Sequence, residues 1–565
     1  MKYILSGFFL LFLFSGQAQL QGIVFGIKNG GKVQLKQAKV QLRKAGTQVY
    51  TGDNGRFELV LPKELPDVLV ISAPGYETDS VTVTREDRFT GMEVFLFEVD
   101  ELDEVVIEFK QDSKTFSRLK PLQVENLGEG ELKKAACCNL SESFETNATV
   151  DVNFTDAVSG AKKIQLLGLD GVYTQLQMEN IPFLTGLESS FGLNSVPGTW
   201  VESIQITKGT GSVVNGYESM AGLINVEFRK PTTMQRLFVN GYGSSLGRSE
   251  LNVHGGQVIN NRWSTGTFAH VSTLQSEWDG NKDGFRDAPL SKSGSFMNRW
   301  EYTGKKFETR FGVNGYYDQR LGGQLYGIAN RYRAETTNQH AEFFAKTGFL
   351  FPNRPAQSLG IVYQFKYHQS DGLYGLRDFG GKELRGYVNA IFDGMIGNTA
   401  HKYKAGLSAV GQDLKQHIDS VNYNRNVITP GAFFEYTYTG TRLVLVAGMR
   451  ADYQTAFSDQ KEKFQFSPRV HAKYALDEFT DVRVTTGKSW RLPTVVMDNS
   501  SLLATSKTWV VSNSNEQEEV WNSGISVIRT MRWWNRTASI SADFYHARFT
   551  RQLIIDREQS TDSIF

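Results

Sequence analysis

The chain of 565 residues has little cysteine, little proline and almost no net charge, and each shortage excludes something. Only two cysteines occur, adjacent at Cys137 and Cys138, so no disulfide framework can hold the fold together. Formal net charge is +1, from 61 basic and 60 acidic residues, which gives no bulk attraction for nucleic acid. Past the N-terminal segment, no run approaches the ~18 apolar residues of a membrane-spanning helix. HExxH is absent, and "GTGSVV" lacks the third glycine of a dinucleotide fingerprint, so no catalytic residues are assigned and an enzyme is not expected. What is abundant is glycine (54) and aromatic residues (12%), against 13 prolines, a mixture that suits a large β protein with many turns.

The first residues, "MKYILSGFFLLFLFSGQAQ", carry Lys2, an apolar core from Ile4 to Phe14, and small residues at Gly16-Gln17-Ala18. Residues 1–18 are therefore expected to be a secretory signal peptide, too short in its apolar part to span a bilayer. Residues 19–99 are predicted to be a small β-sandwich. "KVQLRKAGTQVYTGDNGRFELVLP" gives two alternating strands about a turn at Asp53-Asn54-Gly55, and "DVLVISAPGYETDSVTV" gives two more about Pro74-Gly75. Next, "VDELDEVVIEFKQDSK" surrounds a short β-prone core with charge. It has no partner strand nearby, so it is free to add to another protein's sheet edge. Residues 113–230 are mixed α/β, with a strand at 201–207, a short helical stretch near Glu218–Ala221, and a closing strand at 223–228.

From residue 231 onward the texture is uniform. Segments of about 10 residues alternate in polarity between turn residues, as in a membrane barrel. In "FQFSPRVHAKY", Phe464, Phe466, Pro468, Val470, Ala472 and Tyr474 share the face expected to meet lipid. Gln465, Ser467, Arg469, His471 and Lys473 share the face expected to meet the lumen. Short turns are predicted near Asn260, Gly304, Pro352, Gly397, Gly440, Asp477 and Trp534, and long loops near 274–293, 318–337, 370–383, 413–427 and 489–517. Short periplasmic turns with longer extracellular loops are the outer-membrane pattern. About 15 strands are expected, an odd number for a single-chain bacterial barrel. The final stretch, "REQSTDSIF", reads as a polar loop, so the barrel is expected to be incomplete at this end.

These segments resemble the TonB-dependent outer-membrane receptors over nearly the whole chain. "LDEVVI" (Leu102, Asp103, Glu104, Val105, Val106, Ile107) looks like the TonB box, within a linker over 100–112. "IQLLGLDGVYTQLQMENIP" and "VESIQITKGTGSVVNGYESMAGLINV" resemble the plug domain. "FSPR", "GKSWRLPT", "NEQEEVWNSGIS" and "FYHARFTRQLI" occur in the barrel's order. The pattern Thr51-x-Asp53-x-Gly55-x-Phe57 followed by Gly75-Tyr76 resembles the carboxypeptidase-regulatory-like domain, a spacer or binding module. The resemblance implies a mainly β fold: a transmembrane antiparallel barrel of about 22 strands, the plugged-transporter size class, with an internal α/β plug. It also implies a Gram-negative outer-membrane location among lipid, partnership with the inner-membrane TonB–ExbB–ExbD complex, and import driven by the proton-motive force. The expected cargo is a small metal-containing ligand: siderophore, copper or cobalamin. An oligosaccharide or peptide importer working with a surface lipoprotein is the rival within the family, and a binding or adhesion barrel without transport is the rival outside it. Leu167-Gly168 stands where the family has arginine-glycine, which weakens any transfer of ligand contacts from better-known receptors.

Two segments carry metal chemistry, and no cofactor is required otherwise. Cys137 and Cys138 have their Cα atoms ~3.8 Å apart, so a disulfide between them would be strained; two adjacent thiolates form a soft site suited to Cu(I). Vicinal disulfide and metal contact both stand. In "DGNKDGFRD", Asp279, Asn281 and Asp283 have the first, third and fifth positions of a calcium loop; Phe285 offers a carbonyl, and Asp287 sits at the ninth. The glutamate of the twelfth position is absent, so a structural Ca2+ here is expected to lack its bidentate ligand. Eight histidines are scattered without a close pair in sequence, and each is expected in an ordinary strand or loop role.

Overall fold

The computed structural model describes residues 19–565 except 29–30, 63, 85–90, 99–113, 117–120, 133–138, 146, 156–157, 456–462, 512–514 and 534–535. The chain falls into two compact units. In the first, Gln19–Lys28 runs antiparallel to Gly31–Gln34 and Arg56–Val60 and parallel to Met92–Phe97. A second four-stranded sheet orders Gln48–Tyr50, Lys39–Leu42, Asp67–Ser72 and Asp79–Val83. Alternation decides which side chains go inward: Arg56–Val60 buries every second residue, Phe57 and Leu59. Leu20, Val24, Leu59 and Leu96 of one sheet meet Val40, Leu42, Leu69 and Ile71 of the other in one apolar core. This is the expected sandwich.

The second unit holds a mixed domain inside a large antiparallel sheet. Its six-stranded sheet orders Ile181–Pro182, Thr174–Met178, Gly222–Phe228, Val201–Lys208, Val124–Leu127 and Lys114–Phe116, with Thr174–Met178 and Gly222–Phe228 parallel. The stretch Glu218–Ala221 is not helical. The turn forms earlier, at Val213–Asn215, because the Ser212 hydroxyl accepts from Val214 N at 3.1 Å and caps it.

Around this domain, successive antiparallel strands run from Phe238–Gly243 to Arg536–Arg551. Among the described residues these two end strands each pair with one neighbour only. In Lys463–Ala475, Phe464, Phe466, Val470 and Tyr474 are exposed while Gln465, Ser467, Arg469, His471 and Lys473 are buried, the two faces expected from the sequence. Phe296, Phe365, Leu384, Leu407, Ile428 and Phe434 continue the outward apolar face on other strands. Trp263, Trp300, Tyr302, Phe307 and Phe311 cluster at the short-turn end, where a membrane interface favours aromatic rings.

Two expected long loops are instead strand. Ser358–Tyr374 and Arg377–Ile396 meet at a two-residue turn, Gly375-Leu376, with Gly375 at φ 66, so 370–383 stays in the ladder. Likewise Asn398–Ile418 runs 21 residues, and Val421–Asn422 pairs back on it. Crossing a bilayer takes only about 9–11 residues of tilted strand, so these strands rise well past the membrane. Polar outward residues there, such as Lys382 and Lys415, hide the extension from a hydropathy reading.

Candidate functional site

The inward faces of the strands do not line an open lumen; they grip the central domain. Arg299 donates to both oxygens of Glu179 at 2.5 and 3.0 Å, with both side chains almost fully buried. Lys346 donates to the Glu179 carbonyl (2.8 Å) and Gln364 to that of Pro182 (2.9 Å). Further round, Lys366 holds Thr185 and Glu188, Glu383 accepts from Leu187 N at 2.8 Å, and Arg385 meets Glu218 at 3.4 Å. Asn389, Arg450 and Arg469 donate to carbonyls of 211–214, and Ser489 and Asn522 to those of Ser219 and Met220. Lys208 pairs with Asp543 at 2.6 Å. Tyr217 stacks on Trp490 with centroids 3.9 Å apart, Trp200 meets Phe268 at 5.4 Å and Tyr173 meets Phe549 at 5.0 Å, so aromatic contacts run among the polar ones along the seam.

This arrangement explains the alternating charge of the strands. A lumen-facing arginine is ordinary in a water-filled pore; here it meets a backbone carbonyl or a carboxylate of the central domain. Each such group removed from water needs that partner, because an unpaired buried charge is costly. Glu188 shows the balance. Burial alone would raise its carboxyl, but His340, Lys366 and His368 outweigh that and hold it down at about 2.

At the long-loop end, residues after Arg491 fold inward over the central domain. The Arg377 guanidinium donates to the carbonyls of Leu503 (3.2 Å), Thr505 (2.6 Å) and Lys507 (2.6 Å), and Ser190 Oγ donates to that of Met497. Val496, Met497, Leu503 and Trp509 bury with Leu187, Phe191 and Phe379. Beneath this cover lies a polar cavity of about 90 Å³, lined among others by Lys163, Gln175, Arg385, Arg425, Arg491 and Asp498.

The residues singled out from sequence fare unevenly. Leu102, Asp103, Glu104, Val105, Val106 and Ile107, and likewise Cys137 and Cys138, lie outside the described residues. The 279–287 loop is described, and its acids turn toward their own backbone. Asp279 accepts from Asp283 N and Gly284 N, Asp283 from Phe285 N, and Asp287 from Gly280 N. Among the described residues no three His, Cys, Asp or Glu side chains converge as a metal cage, so Asp279, Asn281, Asp283, Phe285 and Asp287 are not assembled around one point. The histidines depart from expectation in one place. His340 and His368 are direct partners on neighbouring strands, with ring centroids 5.8 Å apart. Their separation in sequence concealed them; the signal was their position on the inward face of two consecutive strands.

The domain pattern matches known proteins. Residues 118–223 match the TonB-dependent receptor plug domain, and residues 240–564 match the TonB-dependent receptor-like β-barrel. This chain belongs to the TonB-dependent receptor family. The central domain is accordingly the plug, the surrounding sheet is the barrel wall, and the protein resides in the outer membrane. No curated protein matches the chain in sequence. Solved structures share the receptor's fold. FpvA of P. aeruginosa, bound to a heterologous pyoverdine and iron, has 13% identity and a TM-score of 0.60 over 80% of this chain and 67% of that one. The ferric yersiniabactin uptake receptor FyuA of Yersinia pestis has 10% identity and a TM-score of 0.60 over 77% and 73%. The copper transporter OprC has 12% identity and a TM-score of 0.54 over 75% and 76%.

Proposed function

We propose that this receptor binds a metal or metal chelate at the cell surface and imports it into the periplasm, driven by the TonB–ExbB–ExbD complex pulling on residues 102–107. The observation that carries the reading is the chemistry of the seam between plug and wall. Many of its contacts are hydrogen bonds and ion pairs, and water entering a parting seam can replace these one at a time. FpvA binds pyoverdine with iron, FyuA takes up ferric yersiniabactin and OprC transports copper, and we extend that ligand class to this chain.

The mechanism assigns each part a step. Cargo settles at the long-loop end, above the cavity lined by Arg385, Arg425 and Arg491. Residues 102–107 add to a partner's sheet edge, where several backbone hydrogen bonds share the load of a pull. Force on the plug then breaks seam contacts in sequence, opening a polar path along the wall. Deleting Asp103–Ile107 is expected to abolish uptake while sparing surface binding; undiminished uptake by the deletion variant would overturn the energised mechanism.

Cys137 and Cys138 are proposed as a soft site for the cargo metal. Calorimetry with Cu(I) under reducing conditions is expected to show stoichiometric binding that Cys137→Ser/Cys138→Ser loses. Binding indifferent to both serines would return the cargo question to the surface loops. For 279–287 we propose that Ca2+ redirects the carboxylates now spent on backbone N–H groups. A Ca2+-dependent rise in Tm, absent in Asp279→Asn, is the expected result, and equal Tm with Ca2+ or chelator rejects it.

A further inference from the structure

We propose that the route opened when the plug parts from the wall carries net positive charge, so that a metal crosses it as an anionic chelate and not as a bare cation. The inference rests on the import reading above and narrows its cargo. Ion pairs across the seam share one polarity. Arg248, Arg299, Lys366 and Arg385 of the wall meet Glu142, Glu179, Glu188 and Glu218 of the plug, at 3.0, 2.5, 3.0 and 3.4 Å respectively. Lys208 of the plug with Asp543 of the wall runs the other way. Two more wall cations end on plug carbonyls: Lys346 on that of Glu179, and Arg469 on those of Gly211 and Ser212.

The wall sets like charges side by side. Lys366 and Arg385 are direct partners on Ser358–Tyr374 and Arg377–Ile396, and Arg310 and Lys346 are direct partners on Phe307–Gly323 and Arg333–Leu350. Like charges directly opposite one another destabilise a sheet. Acids of the plug relieve them. Glu188 and Glu218 meet the first pair, and Glu179 lies against Arg299 and Lys346 at the second. Glu301 of the wall also serves Arg299 and Arg310. Force moves the plug and leaves the wall in place, so Glu179, Glu188 and Glu218 depart while the cations remain. Glu301, Glu342, Glu383 and Glu435 stay behind, fewer than Arg299, Arg310, Lys346, Lys366, Arg385 and Arg469 beside them. Arg320 with Asp318 and Arg450 with Asp452 are balanced within the wall.

The entrance has the same sign. In the cavity beneath the cover, Glu218 and Asp498 are engaged by Arg385 and Arg491. Arg425 adds a guanidinium held by neutral acceptors: Gln412 Oε1 at 3.0 Å, the Pro493 carbonyl at 2.7 Å and Thr494 Oγ1 at 3.4 Å. A confined route lined by one sign of charge concentrates the opposite sign and repels its own. Carboxylate or phenolate oxygens wrapped around a metal ion supply that negative charge, and guanidinium forks match such oxygens in geometry.

The test reads the sign of the wall in the full chain, without cargo or TonB. In a Cys137→Ser/Cys138→Ser background, Gln364→Cys puts one thiol on the inward face two positions from Lys366. Ser489→Cys puts another beside Arg469, which donates to Ser489 Oγ at 3.1 Å. Urea, which is uncharged and leaves the field intact, parts the plug in neutral detergent while the wall keeps its circular dichroism. Two methanethiosulfonate reagents of similar size are compared, one ending in sulfonate and one in trimethylammonium, each rate divided by its rate on the unfolded chain. The anionic reagent is expected to react ~10-fold faster. That preference should collapse near ~1 M salt, where the Debye length is about 3 Å. It should also collapse in Lys366→Gln for the first thiol and in Arg469→Gln for the second. Equal rates, a faster cationic reagent, or a preference indifferent to salt and to both substitutions would overturn the proposal. So would uptake of radiolabelled copper from the bare hydrated ion that deletion of Asp103–Ile107 abolishes. Failure of the labelling leaves TonB-driven import standing, and undiminished uptake by the deletion variant leaves the charge of the wall standing, so the two readings fail separately.

Discussion

Between its two sheets the N-terminal sandwich places Leu20, Val24, Leu59, Leu69 and Ile71, whereas between plug and wall the second unit places Arg299, Glu179, Lys366, Glu188, Glu383 and Arg469. Both interfaces exclude water, but they respond differently to being opened. Parting the sandwich would expose apolar surface at about 25 cal/mol per Å², with no compensation from water. Parting the seam largely trades protein hydrogen bonds for water hydrogen bonds, at a net of about 0.5–1.5 kcal/mol each, alongside its smaller apolar contacts. The first interface suits a module that stays folded, and the second suits a plug that must let go under force. The plug sheet buries Ile204, Ile206, Ile224 and Val226 fully, in a core that runs on to Phe268, Met297, Phe344 and Val362 of the wall, so parting the seam exposes some apolar surface as well.

Four substitutions test this contrast, beginning with the largest effect. Arg299→Met leaves Glu179 buried without its bidentate partner and should destabilise the seam by about 3–5 kcal/mol. Hydrogen exchange in Thr174–Met178 and Gly222–Phe228 would report it, and unaltered protection there would show that the pair is not a latch. Leu69→Ala opens a cavity between the sandwich sheets at a cost of about 3 kcal/mol. Its exchange should quicken in Lys39–Leu42 and Asp67–Ser72 while plug protection is kept; a change spreading into the plug would contradict separate units.

Gly186→Ala is expected to cost about 2 kcal/mol. Gly186 has φ +68, and an added Cβ would lie 2.1 Å from Glu383 Oε2, the atom that accepts from Leu187 N. Faster release of the plug under denaturant would register the loss, and a wild-type rate would show that the turn can shift. The smallest effect is expected at Asp67, in the sandwich. Burial raises its carboxyl, but N–H donors from Lys44, Ala45 and Val68 outweigh this and hold it below the usual carboxylate range. A lowered folded pKa contributes stability that is full above the unfolded pKa and is lost as pH falls through the folded one. Asp67→Asn should therefore cost about 1 kcal/mol at neutral pH and nothing in acid. A penalty that persists at low pH would assign the effect to packing rather than charge.

The alternation of "FQFSPRVHAKY" was readable because a strand's period of two maps directly onto lipid and interior. The hairpin at Gly375-Leu376 was not readable in the same way. Above the membrane the outward face turns polar, as at Asp371 and Lys382, and the alternation that separates strand from loop weakens although the ladder continues. The helical stretch expected near Glu218 formed instead at Val213–Asn215, where one serine hydroxyl supplies a cap. Arg469 was placed correctly on the inward face, but its partners, the carbonyls of Gly211 and Ser212, come from the plug and leave no mark in the strand's own sequence.

What the amino-acid sequence determined by itself is the local order: strands and turns, which face is apolar, and the run of segments that identifies sandwich, plug and barrel. Those features depend on neighbours within a few residues, and periodicity records them. Tertiary structure alone decided which inward charges meet, that His340 faces Glu188, and that the stretch after Arg491 folds over the plug. Those contacts join residues far apart in the chain. Their energies depend on burial and distance, which sequence spacing does not encode.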